Sequence, residues 1–150
     1  MENTEQPTFA VSLTVPDAGE ALAFYEKALG SKELYRLPAP DGTVLHAEFM
    51  LGNTTILISP GDPQWKAVPL AGTDTAPCLF GVISADPDSA YKTALDAGCE
   101  SIEEPKSQFW GWRTAVVRDP YGYRWNFRKE EEKLTPEEIG QRAAELFGAS

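Results

Sequence analysis

Apolar and polar positions fall into blocks along this chain, and the blocks come twice in the same order. Residues 9–15 are apolar and rich in β-formers, so they read as a strand, stopped by Pro16-Asp17. Across residues 17–29 the apolar positions Ala18, Ala21, Leu22, Tyr25, Ala28 and Leu29 keep helical spacing. Gly30 stands where a left-handed glycine ends a helix. Residues 33–37 read as a short strand and Pro38 to Gly42 as a loop. Residues 44–51 and 54–59 form a hairpin about Gly52-Asn53. The period then fails: Pro60, Gly61, Pro63, Pro69, Gly72 and Pro77 break any regular element, and residues 60–77 read as a linker.

The order restarts beyond the linker. Residues 79–83 read as a strand and 86–97 as a helix, with Pro87 near its first turn and Gly98 after its end. Residues 101–104 are a short strand, and 113–118 and 125–128 are strands either side of Asp119-Pro120-Tyr121-Gly122. Thr135-Pro136-Glu137-Glu138 is a capping-box start that opens a tail helix to about Phe147. Gly30 and Gly98 set the offset between the copies at 68 residues. The pattern predicts βαβββ modules over residues 9–59 and 78–128. A polar tail (1–8) precedes them, a linker (60–77) joins them, and a helical tail (129–150) follows. A helix covers one face of each sheet and the other face needs a partner. The expected fold is therefore α+β, two curved sheets around a cleft, plus the C-terminal helix.

Composition narrows the function. A hydrophobic share of 42% supports a packed core rather than disorder. Lys and Arg number 13 against 23 Asp and Glu, a net charge of −10. That balance argues against nucleic acid or an anionic membrane as partner and suits a cationic ligand, or simply solubility. No apolar run approaches the roughly 20 residues of a membrane helix. The acidic residues 1–5 lack the basic flank of a signal peptide. Cys78 and Cys99 make no disulfide framework and no CxxC pair, which points to a reducing cytoplasm. With one histidine, His46, no site can draw two histidine ligands from a single chain.

Three stretches carry a family likeness: Val15-Pro16-Asp17 through Phe24-Tyr25 to Leu29-Gly30; Asp41-Gly42 through His46-Ala47-Glu48; and Phe109-Trp110-Gly111 with Arg118-Asp119-Pro120-Tyr121-Gly122. On these the chain resembles the vicinal oxygen chelate superfamily, the glyoxalase and bleomycin-resistance proteins, and most closely the PhnB-like branch. The resemblance spans roughly residues 8–128. It implies the paired-module fold, but the fold hosts many activities. In metal-using members four side chains, two per module, hold a divalent ion. By resemblance those positions fall on Ala10, Leu57, Cys78 and Asn126. Two of these have no donor, one is a neutral amide and one a lone thiol, so the expectation is no metal and no cofactor.

On the strand over residues 44–51, His46, Glu48 and Met50 share one face. Leu45, Ala47, Phe49 and Leu51 share the other, the natural helix-facing core. His46 and Glu48 are an acid–base candidate or a structural hydrogen-bonded pair. Trp65, Trp110 and Trp112 offer flat indole surface for an aromatic or cationic ligand, or plug an edge or dimer contact. Arg113 is a candidate partner for a ligand carboxylate, and Met50, Leu57 and Asn126 are further lining candidates. Trp125 and Phe127 should be core. The expected function is sequestration of a small aromatic or cationic molecule by a homodimer, as in the bleomycin-resistance branch. The alternative is an enzyme working through His46 and Glu48, or through a non-standard metal site.

Overall fold

The structure, a computed structural model, describes residues 9–148. The tail expected over residues 1–8 lies outside the described residues. The chain divides into two compact units, with the boundary between Asp74 and Thr75.

The first unit runs β1 (Val11–Thr14), α1 (Ala18–Leu29), β2 (Lys32–Pro38), β3 (Val44–Leu51) and β4 (Thr54–Ser59). The sheet order is β1-β4-β3-β2, with β1 parallel to β4 and the other neighbours antiparallel. Asp17 starts α1 by accepting the Glu20 amide at 3.0 Å. Gly30 ends it with φ 69°, a left-handed conformation that costs glycine nothing. The helix lays Ala18, Ala21, Leu22, Tyr25 and Ala28 on the sheet. Tyr25 stacks on Phe49 at 5.3 Å between ring centroids, and both are fully buried. Each contributes about 2–3 kcal/mol through burial.

The strand periods hold except at two bulges. Leu37 pairs with His46 but Pro38 with Val44, so Leu45 is an extra residue with no partner across the ladder. The bulge turns Val44 inward, where its Cγ2 would lie 3.2 Å from a Cβ on Gly19, and leaves Leu45 50% exposed. Leu45 is therefore not part of the helix-facing core. Leu34 is the corresponding extra residue on β2. Within the residues expected as linker, Asp62 caps a single 3-10 turn, Pro63–Trp65, and bridges Ala67.

The second unit repeats the plan with β5 (Leu79–Ile83), α2 (Pro87–Asp96), β6 (Glu100–Ser107), β7 (Trp112–Arg118) and β8 (Arg124–Glu130), in sheet order β5-β8-β7-β6. Helix α2 lies on β6, β7 and β8. Ala94, Ala115, Val117, Trp125 and Phe127 are buried there, so Trp125 and Phe127 are core as expected. Strand β6 is twice its expected length. It is an edge strand of polar residues, exposed almost throughout, so no apolar alternation announces it. Pro105 is tolerated there because an edge leaves its missing N–H without consequence. Strand β8 takes in Lys129 and Glu130, which the sequence pattern had assigned to the tail.

Helix α3 (Pro136–Leu146) opens with both halves of its capping box formed. Arg142 ties it to the turn between β6 and β7, donating to the Phe109 carbonyl at 3.2 Å and to Glu132 at 2.7 Å. Phe147 meets Phe109 edge to face. Among the described residues no helix is long and apolar enough to cross a membrane.

Candidate functional site

Each sheet has one face under its helix and one face without a helix, and the chemistry-bearing side chains gather on the second kind. In the first unit the alternation of β3 buries Ala47 and Phe49 and sends His46, Glu48 and Met50 to the helix-free face. The ladder places Leu57 of β4 opposite Glu48, and Tyr35 of β2 on its other side. His46 Nε2 lies 3.2 Å from Glu48 Oε1, with about a third of each side chain exposed. A carboxylate only accepts, so the proton of this contact sits on Nε2, and in a neutral ring the lone pair would then be on Nδ1. The Tyr35 ring is 6.5 Å from the imidazole. The pair combines a negative group and a titratable ring on a floor of Leu57 and Met50.

The second unit presents a different face. Strand β8 buries Trp125 and Phe127 and turns Arg124, Asn126 and Arg128 the other way, all half-buried. Across the ladder Arg124 meets Arg118, and Asn126 meets Val116. The Arg128 guanidinium lies over the Trp112 ring, 4.1 Å from its centroid. The cation on Trp112 is thus the chain's own. Arg113 is likewise committed: its Nε and Nη2 hold Asp88 at 2.9–3.1 Å and its Nη1 donates to Ser107. The same contact raises its pKa, first through the hydrogen bond to Asp88. Trp110 packs edge to face on Phe109 at 5.0 Å, beside the end of α3. Trp65 is 83% exposed on the 3-10 turn.

So the structure brings His46, Glu48, Met50 and Leu57 together on one face and sets Asn126 between two arginines on another. Trp112 joins the second group under Arg128, whereas Arg113 is held by Asp88, Trp110 packs on Phe109 and Trp65 stands exposed on the 3-10 turn. Arg124 and Arg128 were not among the expected site residues. Their signal was available, because a strand that buries Trp125 and Phe127 must present Arg124, Asn126 and Arg128 together.

The parallel pairing of first and last strand recurs in both units, 69 residues apart, one more than the Gly30-to-Gly98 spacing. Ser12 faces Leu57 in the first unit as Gly81 faces Asn126 in the second, and the capping Asp17 and Asp86 occupy equivalent places. The sequence profile of the Glyoxalase/Bleomycin resistance protein/Dioxygenase superfamily matches residues 9–127, which span both units through β8. The chain belongs to this superfamily. An uncharacterized protein of Mycobacterium bovis is 31% identical over 137 residues, covering 89% of this chain and 90% of that protein. One of Mycobacterium tuberculosis is 31% identical over the same share of this chain and 81% of its own. Among solved structures, TioX from Micromonospora sp. ML1 is 26% identical with a TM-score of 0.66, covering 83% of this chain and 99% of that one. A glyoxalase/bleomycin resistance protein/dioxygenase family enzyme from Burkholderia phytofirmans PsJN shares the fold at 18% identity and TM-score 0.66, covering 81% and 96%.

Superfamily membership raises the question of a divalent metal, and the donor set does not fit one. Ala10 and Cys78 lie just outside β1 and β5, both exposed, so neither faces Leu57 or Asn126 across the ladder. The residues that do face them are Ser12 and Gly81. Those four positions together supply one hydroxyl and one neutral amide, too little for Zn, Ni, Fe or Mn. Among the described residues no three of His, Cys, Asp and Glu are grouped to hold an ion.

Proposed function

We propose that this superfamily member binds a small, flat aromatic or cationic molecule on the helix-free face of its first sheet and sequesters it without a resident metal. The observation that carries the reading is the Glu48 carboxylate, hydrogen-bonded to His46 at 3.2 Å and flanked by Leu57 across the ladder. A ligand ring would lie on Leu57, Met50 and the edge of Tyr35, and its cationic centre would meet Glu48. The test is calorimetry with a cationic planar dye such as ethidium and with its uncharged analogues. The reading expects saturable binding that Glu48→Gln weakens about tenfold, the loss of one charge-assisted contact. Binding that ignores Glu48→Gln overturns it.

A second reading is favoured by the His46–Glu48 contact itself: an imidazole whose Nε2 faces a carboxylate offers Nδ1 as a general base. It expects pH-dependent turnover that disappears in His46→Ala. Turnover unchanged in that variant removes His46 from the chemistry. Stripping the protein with chelator and titrating Zn, Ni, Mn and Fe(II) separates both readings from a metal enzyme. Tight binding near one ion per chain would refute the donor-set argument. The proposal places the protein in the cytoplasm, in keeping with its two unpaired cysteines. It also makes the protein a homodimer, since each four-stranded sheet ends in open edge strands. A monomer in light scattering would overturn the dimer.

A further inference from the structure

Strand β8 carries polar atoms that the protein itself does not satisfy. Arg124 Nε, Asn126 Oδ1 and Arg128 Nε are withdrawn from solvent, and each lacks a hydrogen-bond partner among the described residues. They occupy alternate residues of one strand, so all three side chains leave the same helix-free face. Among the described residues Arg124 reaches the Cys78 carbonyl, at 3.4 Å, through Nη2, and Arg128 rests on Trp112. Neither arginine belongs to an ion pair among the described residues, although the chain carries 23 carboxylate side chains for 13 Lys and Arg. A buried donor or acceptor left without a partner is destabilising, more so when it is charged. Three on one face mark a place where something outside the chain completes the bonding.

The surroundings fit that reading. Gly81 of β5 faces Asn126, and a Cβ there would come within 3.2 Å of the Arg128 side chain, so the bare glycine makes room for the arginine. Arg118, opposite Arg124, adds positive charge while bonded to Thr75 and 3.8 Å from Glu100. Alternate strand residues stand about 7 Å apart, so two long arginine side chains can converge above the amide between them.

We infer that Arg124, Asn126 and Arg128 form an oxyanion-binding subsite on the second sheet. It would take a small organic acid, carboxylate or phosphate ester, that carries a hydroxyl or amine donor beside its charged group. Two anionic oxygens accept from the Nε–H and Nη–H of an arginine side-on, and the neighbouring donor satisfies Asn126 Oδ1. This stands apart from the first-sheet reading, which concerns a cation at Glu48. The net charge of −10 conceals it, because the positive residues are concentrated by the strand period rather than by sequence blocks.

The experiment titrates the full chain with mandelate and 2-hydroxyethyl phosphate, each with a hydroxyl beside its anion, and with mandelamide as the uncharged counterpart of mandelate. The readouts are calorimetry and tryptophan emission, with Trp112→Phe assigning the optical change to the indole under Arg128. The oxyanions should bind in the millimolar range or tighter and mandelamide should not, and added salt should weaken the binding. The tighter of the two anions identifies the oxyanion. Arg124→Gln and Arg128→Gln should each weaken it about tenfold or more, while Arg36→Gln, an exposed arginine paired with Glu33, leaves it unchanged. If Arg128→Gln fails to fold, Arg128→Lys keeps the charge but loses the forked donors and should show the same weakening. Equal binding of mandelamide, absence of anion binding, or anion binding indifferent to Arg124 and Arg128 overturns the subsite.

Discussion

Replacing Asp119 by alanine should be among the most damaging single changes in the second unit. Asp119 is 1% exposed in the turn between β7 and β8. Its Oδ1 accepts the Tyr121 amide at 2.8 Å and the Tyr123 amide at 3.0 Å, and its Oδ2 accepts Trp125 Nε1 at 2.9 Å. The indole is buried, so without Asp119 its N–H has no water to turn to, a loss of about 1–3 kcal/mol. Tyr121 and Tyr123 are half-buried, and water replaces part of their bonding, so about 1 kcal/mol each is a fair charge. The total is roughly 3–5 kcal/mol, or a fall in Tm of roughly 6–20 °C for a chain of this size. Urea unfolding followed by tryptophan emission measures it. Asp119→Asn should cost less, because an amide oxygen still serves the two turn amides while its NH2 opposes the indole donor. Trp125→Phe removes the buried indole donor that Asp119 serves, so Asp119→Ala combined with Trp125→Phe should cost less than the sum of the single changes. A loss below about 1 kcal/mol for Asp119→Ala, or strict additivity in the double variant, would refute the reasoning.

Two further outcomes follow from local geometry. Burial first, and then the nearby negative charge of Asp119, push the Cys99 thiol up from 9.0 to about 12. At pH 8 a thiol reagent should therefore label exposed Cys78 and reach Cys99 only on unfolding; rapid labelling of both would contradict it. Because the folded chain holds that proton more tightly than the unfolded one, Cys99's contribution to stability is complete below pH 9 and is lost as pH rises toward 12. Gly111→Ala and Gly30→Ala both place alanine at positive φ, but they should differ. A Cβ on Gly111 would meet the Glu132 carbonyl at 2.6 Å, whereas nothing lies within 4 Å of one on Gly30. Gly30→Ala should cost about 1 kcal/mol and Gly111→Ala clearly more, with faster amide exchange in α3; equal urea midpoints would count against the packing account.

The amino-acid sequence by itself determined the element order, the duplication and the helix caps. Those depend on neighbours within a few residues: Gly30 after the first helix, Pro87 in the first turn of the second, and the Thr135-to-Glu138 box before the third. It also determined which faces of β3 and β8 are buried, since a period of two residues admits only one core face. Tertiary structure decided what periodicity cannot carry. The bulge at Leu45 depends on how β2 meets β3. Strand β6 exists because β7 offers it a ladder, not because its own polar residues seek burial. The partners of the arginines and tryptophans were settled the same way. Arg113 is held by Asp88, 25 positions away in sequence, and Trp112 is covered by Arg128. Arg124 and Arg128 are left beside Asn126 with their Nε–H groups unmet. Long charged side chains choose partners in space, and only the folded ladder brings those partners within reach.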